Sequence, residues 1–204
     1  LAMWAQSRVR GTYQKYSQVM SSTAMPASEA ARRILDSVGL YGVEIKRVPG
    51  ELTDHYDPRL KLLRLSDGVY GSNSIAAVAI AAHEAGHAMQ DKVQYPWLVM
   101  RSAMVPVTTF GSKFGYGLLI AGFLLASFVQ SPIGVPIAVV GLALFSTAFV
   151  FAVVTLPVEF NASARALRSM ESVQVINATE RVHAKSVLDA AALTYVATMF
   201  IALM

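Results

Sequence analysis

The stretch that decides the fold is Phe114–Val158, FGYGLLIAGFLLASFVQSPIGVPIAVVGLALFSTAFVFAVVTLPV, which contains no Asp, Glu, Lys or Arg. A soluble chain of this length has too little interior to cover such a run, whereas helices in lipid satisfy their own backbone polar groups. The polar turn Gln130-Ser131-Pro132 separates two apolar runs, of which the second, Ile133–Leu156, is long enough to cross a hydrocarbon core of roughly 30 Å. The sequence therefore predicts a transmembrane helical hairpin.

The composition agrees with an integral membrane protein. Of the 204 residues, 54% are hydrophobic and 15% are charged, whereas soluble domains have about 25% charged residues. The absence of cysteine excludes disulfides and thiolate metal sites, so any metal must be held by His, Asp or Glu. The net charge is +4, but no arginine-rich run is interleaved with aromatic residues. We therefore expect the cations to flank membrane spans and expect no nucleic-acid partner.

The charge pattern divides the chain into four segments. We predict a polar part with a short β-hairpin and an alanine-rich helix over residues 1–113, and a transmembrane helical hairpin over 114–156. A cytoplasmic helix over 157–186 and a C-terminal membrane helix over 187–204 follow. The residues discussed below make the first segment the catalytic part and place the third ligand in the third segment. The last helix begins its apolar run at Ala190 and is only marginally long enough for a span.

The distribution of Lys and Arg predicts the orientation in the membrane. Both polar segments carry several of these residues, and the turn at Ser131 carries none. Positive residues favour the cytoplasm, and two spans return the chain to the side that it left. We therefore expect a multi-pass protein whose polar segments meet on the cytoplasmic face. The opening residues Leu1–Ala5, followed by Arg8 and Arg10, fit either the end of a preceding membrane helix or a disordered tail.

Residues that favour helix ends and turns indicate the short helices and strands of the polar part. Ser28–Val38 has apolar residues at helical spacing, with its first residue suited to cap the helix and Gly39 suited to end it. The β-prone runs Val43–Val48 and Lys61–Leu65 are separated by turn formers, which predicts a small hairpin of these two runs. Ser74–Asp91 predicts a second helix, long and rich in alanine.

The residues that carry chemistry are His83-Glu84-Ala85-Gly86-His87. Positions i and i+4 share one face of a helix, so the two imidazoles can bind one Zn²⁺. Glu84 lies beside that face, where it can take a proton from a metal-bound water as general base. The alternative is a pair of helical histidines on a solvated face. The apolar stretch before the motif favours the metal, because polar groups on a buried helix are costly unless satisfied.

A catalytic zinc needs a third protein ligand. In a chain without cysteine the candidates are His55, His183 and the carboxylates. Glu159 is the first charged residue after the hairpin, and Pro157 suits the first turn of a helix. Glu159 would then lie at the membrane–water boundary, facing the polar part. The alternative is an interfacial glutamate that reaches for water, but the histidine pair and the topology favour the ligand.

Four blocks of sequence resemble the YugP-like bacterial membrane zinc metallopeptidases. They are LTDHYDP at 52–58, AAHEAGHAMQ at 81–90, LPVEFNAS at 156–163 and LDAAALTY at 188–195, in the order that the family has them. The resemblance covers nearly the whole chain. It implies a neutral zinc peptidase of the bacterial inner membrane, with His83 and His87 as metal ligands and Glu84 as the catalytic acid/base.

The chain is more distantly similar to the HtpX-type membrane proteases of the gluzincin group. These also place a membrane hairpin between the histidine motif and a helix that carries the third ligand in a Glu-x-x-x-Asp pattern. Glu159 matches the glutamate, whereas Ser163 stands at the aspartate position. The resemblance therefore leaves Asn161 or Asp54 as candidates to support a histidine ligand from behind.

Several further residues are candidates with ordinary alternatives. His55, Tyr56 or Tyr195 could donate a hydrogen bond to the oxyanion of the attacked peptide, or could simply pack. The run Leu62–Leu65 could be an edge strand that pairs with an extended substrate, or an ordinary sheet strand. His183 lies among Arg and Lys residues and is expected on a solvated face.

The combined expectation is a mainly α integral membrane protein with a small α+β zincin-like catalytic part on the cytoplasmic face. Its expected function is that of a zinc endopeptidase acting on protein or peptide substrates, some of them membrane-associated. One alternative is a membrane scaffold with a structural or vestigial metal site. Another is a zinc hydrolase of a non-peptide substrate, which would use the same residues.

Overall fold

The computed structural model describes residues 2–203, so the predicted ends at residues 1 and 204 lie outside the described residues. The elements are α1 (Ala2–Ser17), α2 (Ala27–Ser37), β1 (Glu44–Val48), β2 (His55–Asp57), β3 (Leu62–Ser66), α3 (Asp67–Tyr70), α4 (Ile75–Lys92), α5 (Pro96–Ser127), α6 (Gly134–Ser172) and α7 (Ala178–Leu203). The fold is thus mainly helical with one small sheet.

The chain forms two compact units. The first unit comprises Leu1–Tyr95 and Val158–Thr194, and the second comprises Pro96–Pro157 and Tyr195–Met204. Within residues 2–203, three helices are long and apolar enough to cross a membrane, namely α5, α6 and the part of α7 up to Ile201. Large apolar side chains of α5 such as Phe110 and Phe123 are exposed in the chain itself, as expected of surfaces that face lipid.

Helix α6 differs from the prediction at Pro157. We expected this proline in the first turn of a new helix, but it lies inside one helix of 39 residues. Proline removes one backbone hydrogen bond and disfavours a helix interior by about 3 kcal/mol. Burial beyond the proline offsets that cost, because Val158, Ala162 and Ala166 are completely buried. Glu159 is therefore held by a helix that is continuous on both sides.

The sheet also differs from the prediction. The first and third strands pair in parallel, so the two β-prone runs do not form a hairpin with each other. The intervening strand β2 lies in the segment that its turn formers had suggested was a loop, and it pairs antiparallel with β3. The strand order is β1-β3-β2. The run Leu62–Leu65 is therefore central, and its backbone is occupied on both sides rather than open to a substrate strand.

The core of the first unit is built around α4. Ser74 caps this helix, since its side chain accepts a hydrogen bond from Ala77 N–H. Helix α2 packs its buried residues Ile34 and Leu35 into the same core. The start of α2 was wrong by one residue, because Pro26 precedes the helix and Ser28 makes no capping bond. Its predicted end is confirmed, as Gly39 has a φ of +70°.

The second unit contains a hairpin of α5 and α6 with glycines at the helix contact. A Cβ atom added at Gly122 would lie 2.2 Å from Ala138 N, and one added at Gly141 would lie 2.2 Å from Leu119 N. Such distances are far below van der Waals contact, so only glycine permits this approach of the two backbones. Close packing through small residues is the usual means of helix association in lipid.

Candidate metal centre

Helix α4 brings the two motif histidines onto one face. Their ring centroids lie 4.8 Å apart in an edge-to-face arrangement, as the i, i+4 spacing requires. Both side chains are mostly buried. The small residues that precede them, including Ala81 and Ala82, are completely buried and let α4 sit deep in the unit.

Helix α6 adds a carboxylate to this face. Glu159 Oε2 lies 3.1 Å from His83 Nε2 and 3.6 Å from His87 Nε2. The Glu159 side chain is only 2% exposed. One ligand atom from each of the three residues lies within 4.8 Å of the others, so the group could hold a metal ion. The structure thus brings together the residues that the sequence suggested as ligands.

The donor set fits zinc. Two imidazole nitrogens and one carboxylate oxygen form the His₂Glu set of catalytic zinc sites, which leaves a coordination position for water. The electrostatics also favour a cation. Burial lowers the pKa of His87, but the hydrogen bond and charge of Glu159, with the charge of Glu84, raise that pKa by more, to above its ordinary value. A divalent ion would supply the positive charge that this setting favours in place of the proton.

Each imidazole has a polar partner on its outer nitrogen. His83 Nδ1 lies 3.1 Å from Ser163 Oγ, and His87 Nδ1 lies 3.0 Å from Gln90 Oε1. Both Nε2 atoms consequently face Glu159. Ser163 therefore contacts His83 itself, although it stands at the position where the sequence comparison above expected an aspartate. Such partners orient a ligand and tune its basicity.

The two residues that were expected to support a histidine in place of that aspartate make other hydrogen bonds. Asn161 reaches the site indirectly, because its Oδ1 accepts a hydrogen bond from Gln90 rather than from a histidine. Asp54 accepts hydrogen bonds from the backbone and hydroxyl of Ser66. Sequence reasoning did not single out Gln90, although its position three residues after His87 places it on the same helix face.

Glu84 is a buried charged residue beside this group. It is 9% exposed, and its charge acts on the neighbouring His87. A carboxylate in this position, next to the histidines but outside the three-residue group, is available as a base rather than as a ligand.

Gly86 allows the close approach of the two helices that carry the ligands. A Cβ atom added here would lie 2.5 Å from the carbonyl oxygen of Ala162. Ala162 is in the turn of α6 that follows Glu159, so the spacing between the carboxylate and the imidazoles depends on this contact. The glycine inside the motif is therefore required by packing.

Replacing Gly86 with alanine is expected to push α6 away from α4. Overpacking of this kind costs about 1–3 kcal/mol in the free energy of unfolding, and displacement of Glu159 should weaken metal binding as well. Thermal unfolding with and without added zinc measures both effects. Gly11→Ala is the matched control, because nothing lies within 4 Å of a Cβ at that helical glycine. That change should stabilise by up to about 1 kcal/mol. Equal stability of Gly86→Ala and wild type would contradict the packing argument.

The other candidate residues have different surroundings. His55 Nδ1 lies 2.8 Å from Thr53 O, and its Nε2 lies 3.1 Å from an Arg64 nitrogen. The Tyr56 hydroxyl donates to Asp91 Oδ2 at 2.7 Å, and burial together with Asp91 raises the Tyr56 pKa. That hydroxyl is thus committed to a carboxylate.

Two further candidates lie in α7. Tyr195 belongs to the second unit, and its part in catalysis stays a prediction. The expectation that His183 lies on a solvated face is met only in part, because the side chain is half-buried, its ring packs 5.0 Å from that of Tyr16, and its Nδ1 is buried. Its helix face turns towards α1, which the local charge pattern did not indicate.

Comparisons with known proteins agree with this geometry. Residues 1–204 match the model of a family described as "Putative neutral zinc metallopeptidase". The chain is 45% identical over 203 residues to a protein of Bacillus subtilis (strain 168) described as "Putative membrane protease YugP", with 100% of this chain and 87% of that protein covered. No solved structure matches the chain.

Proposed function

The chain belongs to the neutral zinc metallopeptidase family, and on that premise we propose that it is a membrane-embedded, zinc-dependent endopeptidase. The observation that carries the proposal is the convergence of His83, His87 and Glu159 on one point. Structural zinc is normally enclosed by four protein ligands, whereas three ligands leave a position for water. The adjacent carboxylate of Glu84 has no purpose in a purely structural site.

The roles of the residues follow from their chemistry. The Nε2 atoms of His83 and His87 and the carboxylate of Glu159 would hold the zinc. Zinc supplies a Lewis acid that polarises the peptide carbonyl and makes water acidic enough to be deprotonated near neutral pH. Glu84 accepts the proton of the attacking water and later delivers it to the leaving amine. Ser163 and Gln90 keep the two imidazoles oriented.

The proposed location is the bacterial inner membrane with the catalytic face in the cytoplasm. The support is the surplus of Lys and Arg in the segments on both sides of the α5–α6 hairpin and their absence from its turn. On this topology the substrates are proteins or peptides that reach the cytoplasmic face, including membrane-associated and unfolded ones. The zincin-like character of the first unit and the four-segment division of the chain belong to the same proposal.

Zinc removal tests the proposal directly. The full chain, purified in detergent, is expected to contain about one zinc per chain if one three-ligand site binds it. Treatment with a chelator should abolish cleavage of a fluorogenic unfolded protein, and stoichiometric zinc should restore it. The measurements are elemental analysis and the cleavage rate. Bound zinc with no cleavage of any peptide would instead support a scaffold or a non-peptide hydrolase.

A further inference from the structure

Gln90 is a fully buried amide behind one of the proposed ligands. It is 0% exposed and lies on α4 one turn after His87. An amide carries a donor end and an acceptor end, and the two cannot be told apart by shape. Which end faces His87 therefore has to be decided from the groups around it.

The first deciding group is a backbone carbonyl. Gln90 Nε2 lies 2.7 Å from Val158 O. A carbonyl oxygen can only accept, so the end of the amide that faces Val158 must be the donating NH₂ group. The opposite end, which faces His87, must then be the oxygen.

The second deciding group is a guanidinium, and it gives the same answer. Arg165 Nε can only donate, and it lies 2.7 Å from Asn161 Oδ1. The Asn161 atom at this point is therefore the oxygen. Gln90 Nε2 lies 3.1 Å from the same oxygen and must donate to it. Two independent groups thus fix the orientation of Gln90.

The orientation of Gln90 decides which nitrogen of His87 carries a proton. Its Nδ1 lies 3.0 Å from Gln90 Oε1, which accepts, so Nδ1 carries a proton. Nε2, the atom that faces Glu159, is therefore the nitrogen left to bind a zinc ion. His83 differs, because its partner Ser163 carries a hydroxyl that can donate or accept.

We propose that Gln90 is a positioning residue that fixes the tautomer of His87 with its Nε2 lone pair towards the zinc. Val158 O and the Arg165–Asn161 pair determine its orientation. The inference rests on the proposed function to the extent that His87 is a zinc ligand. The hydrogen bond from His87 Nδ1 to Gln90 is a property of this chain with or without the ion.

Two substitutions separate positioning from packing. Gln90→Met keeps the length of the side chain and removes the acceptor, so zinc affinity should fall by about 10–100-fold, as for other partners of ligating histidines. Met89→Leu leaves the amide in place and should keep the wild-type zinc affinity. Competition with a chromophoric chelator on the full chain in detergent measures both affinities. Met89→Leu, a volume-conserving change at the buried neighbour, is the control.

A tautomer measurement makes the proposal independent of zinc. Nitrogen NMR of the chelator-treated wild type should show a hydrogen-bonded proton on His87 Nδ1, and Gln90→Met should lose that hydrogen bond. If the chain bound zinc but cleaved nothing, the proposed function would fail and this inference would stand. A wild-type His87 without a proton on Nδ1, unchanged zinc affinity in Gln90→Met, or an equal loss in Met89→Leu would overturn it. If Gln90→Met does not fold, the wild-type spectrum alone decides.

Discussion

Glu84→Gln is expected to reduce peptide hydrolysis by about 10²–10⁴-fold, the usual contribution of a general acid–base group, without releasing the zinc. The amide has the size and shape of the carboxylate but cannot take a proton from water. Because Glu84 is outside the three-residue ligand group, the metal content should not change. The measurements are kcat/KM on a fluorogenic substrate and elemental analysis of the same preparation.

The control for this variant is Glu171→Gln, which removes a carboxylate that pairs with Arg181 away from the histidines. It should retain wild-type hydrolysis. Normal hydrolysis in Glu84→Gln would refute the assigned base. Loss of zinc together with loss of activity would mean that Glu84 helps to hold the ion.

Replacing Glu159 with alanine is expected to weaken zinc binding by more than the roughly 100-fold that follows loss of a ligand's supporting partner. The change removes one of the three converging donor atoms, and a pair of histidines alone is a poor site for zinc. The melting temperature reports this loss, because an ion that binds only the folded state stabilises in proportion to RT ln(1 + [L]/Kd). Zinc should raise the Tm of wild type and leave that of Glu159→Ala unchanged.

Glu159→Asp is the matched variant at this position. It keeps the charge but shortens the side chain by one methylene, and the continuous helix cannot easily move closer to compensate. Its zinc affinity should therefore lie between those of wild type and Glu159→Ala. An undiminished zinc-dependent rise of the Tm in Glu159→Ala would show that other groups complete the site. His183→Ala, which removes a histidine that packs on Tyr16, is expected to keep the zinc-dependent rise.

The parts of the fold that follow local rules could be predicted from the sequence. The uncharged run indicated two of the three apolar helices, Ser74 marked the cap of α4, and the i, i+4 spacing placed His83 and His87 together. These features depend on neighbours within one helix or on composition over a span. Glu159 could be suggested as well, because it is the first charge after the hairpin.

The parts that failed depend on contacts between distant segments. Pro157 favours a helix start by itself, but the buried face of α6 carries the helix through it. Strand β2 has a sequence of turn formers, and pairing with β3 makes it extended nonetheless. The role of Gln90 depends on the register of α6 against α4, which sets Val158 O and Asn161 beside its amide, and no pattern within α4 reveals that register.

The order of the metal-binding side chains along the chain has a consequence for biosynthesis. The histidine motif precedes the segment Pro96–Pro157, and Glu159 follows that segment. The first unit is therefore interrupted in sequence by the hairpin. A nascent polypeptide that has displayed its histidines thus lacks the carboxylate until the ribosome has translated the entire hairpin. A truncated or stalled product would contain the recognisable motif but remain inert. If zinc is held as proposed, hydrolysis can begin only after the whole hairpin has been synthesised.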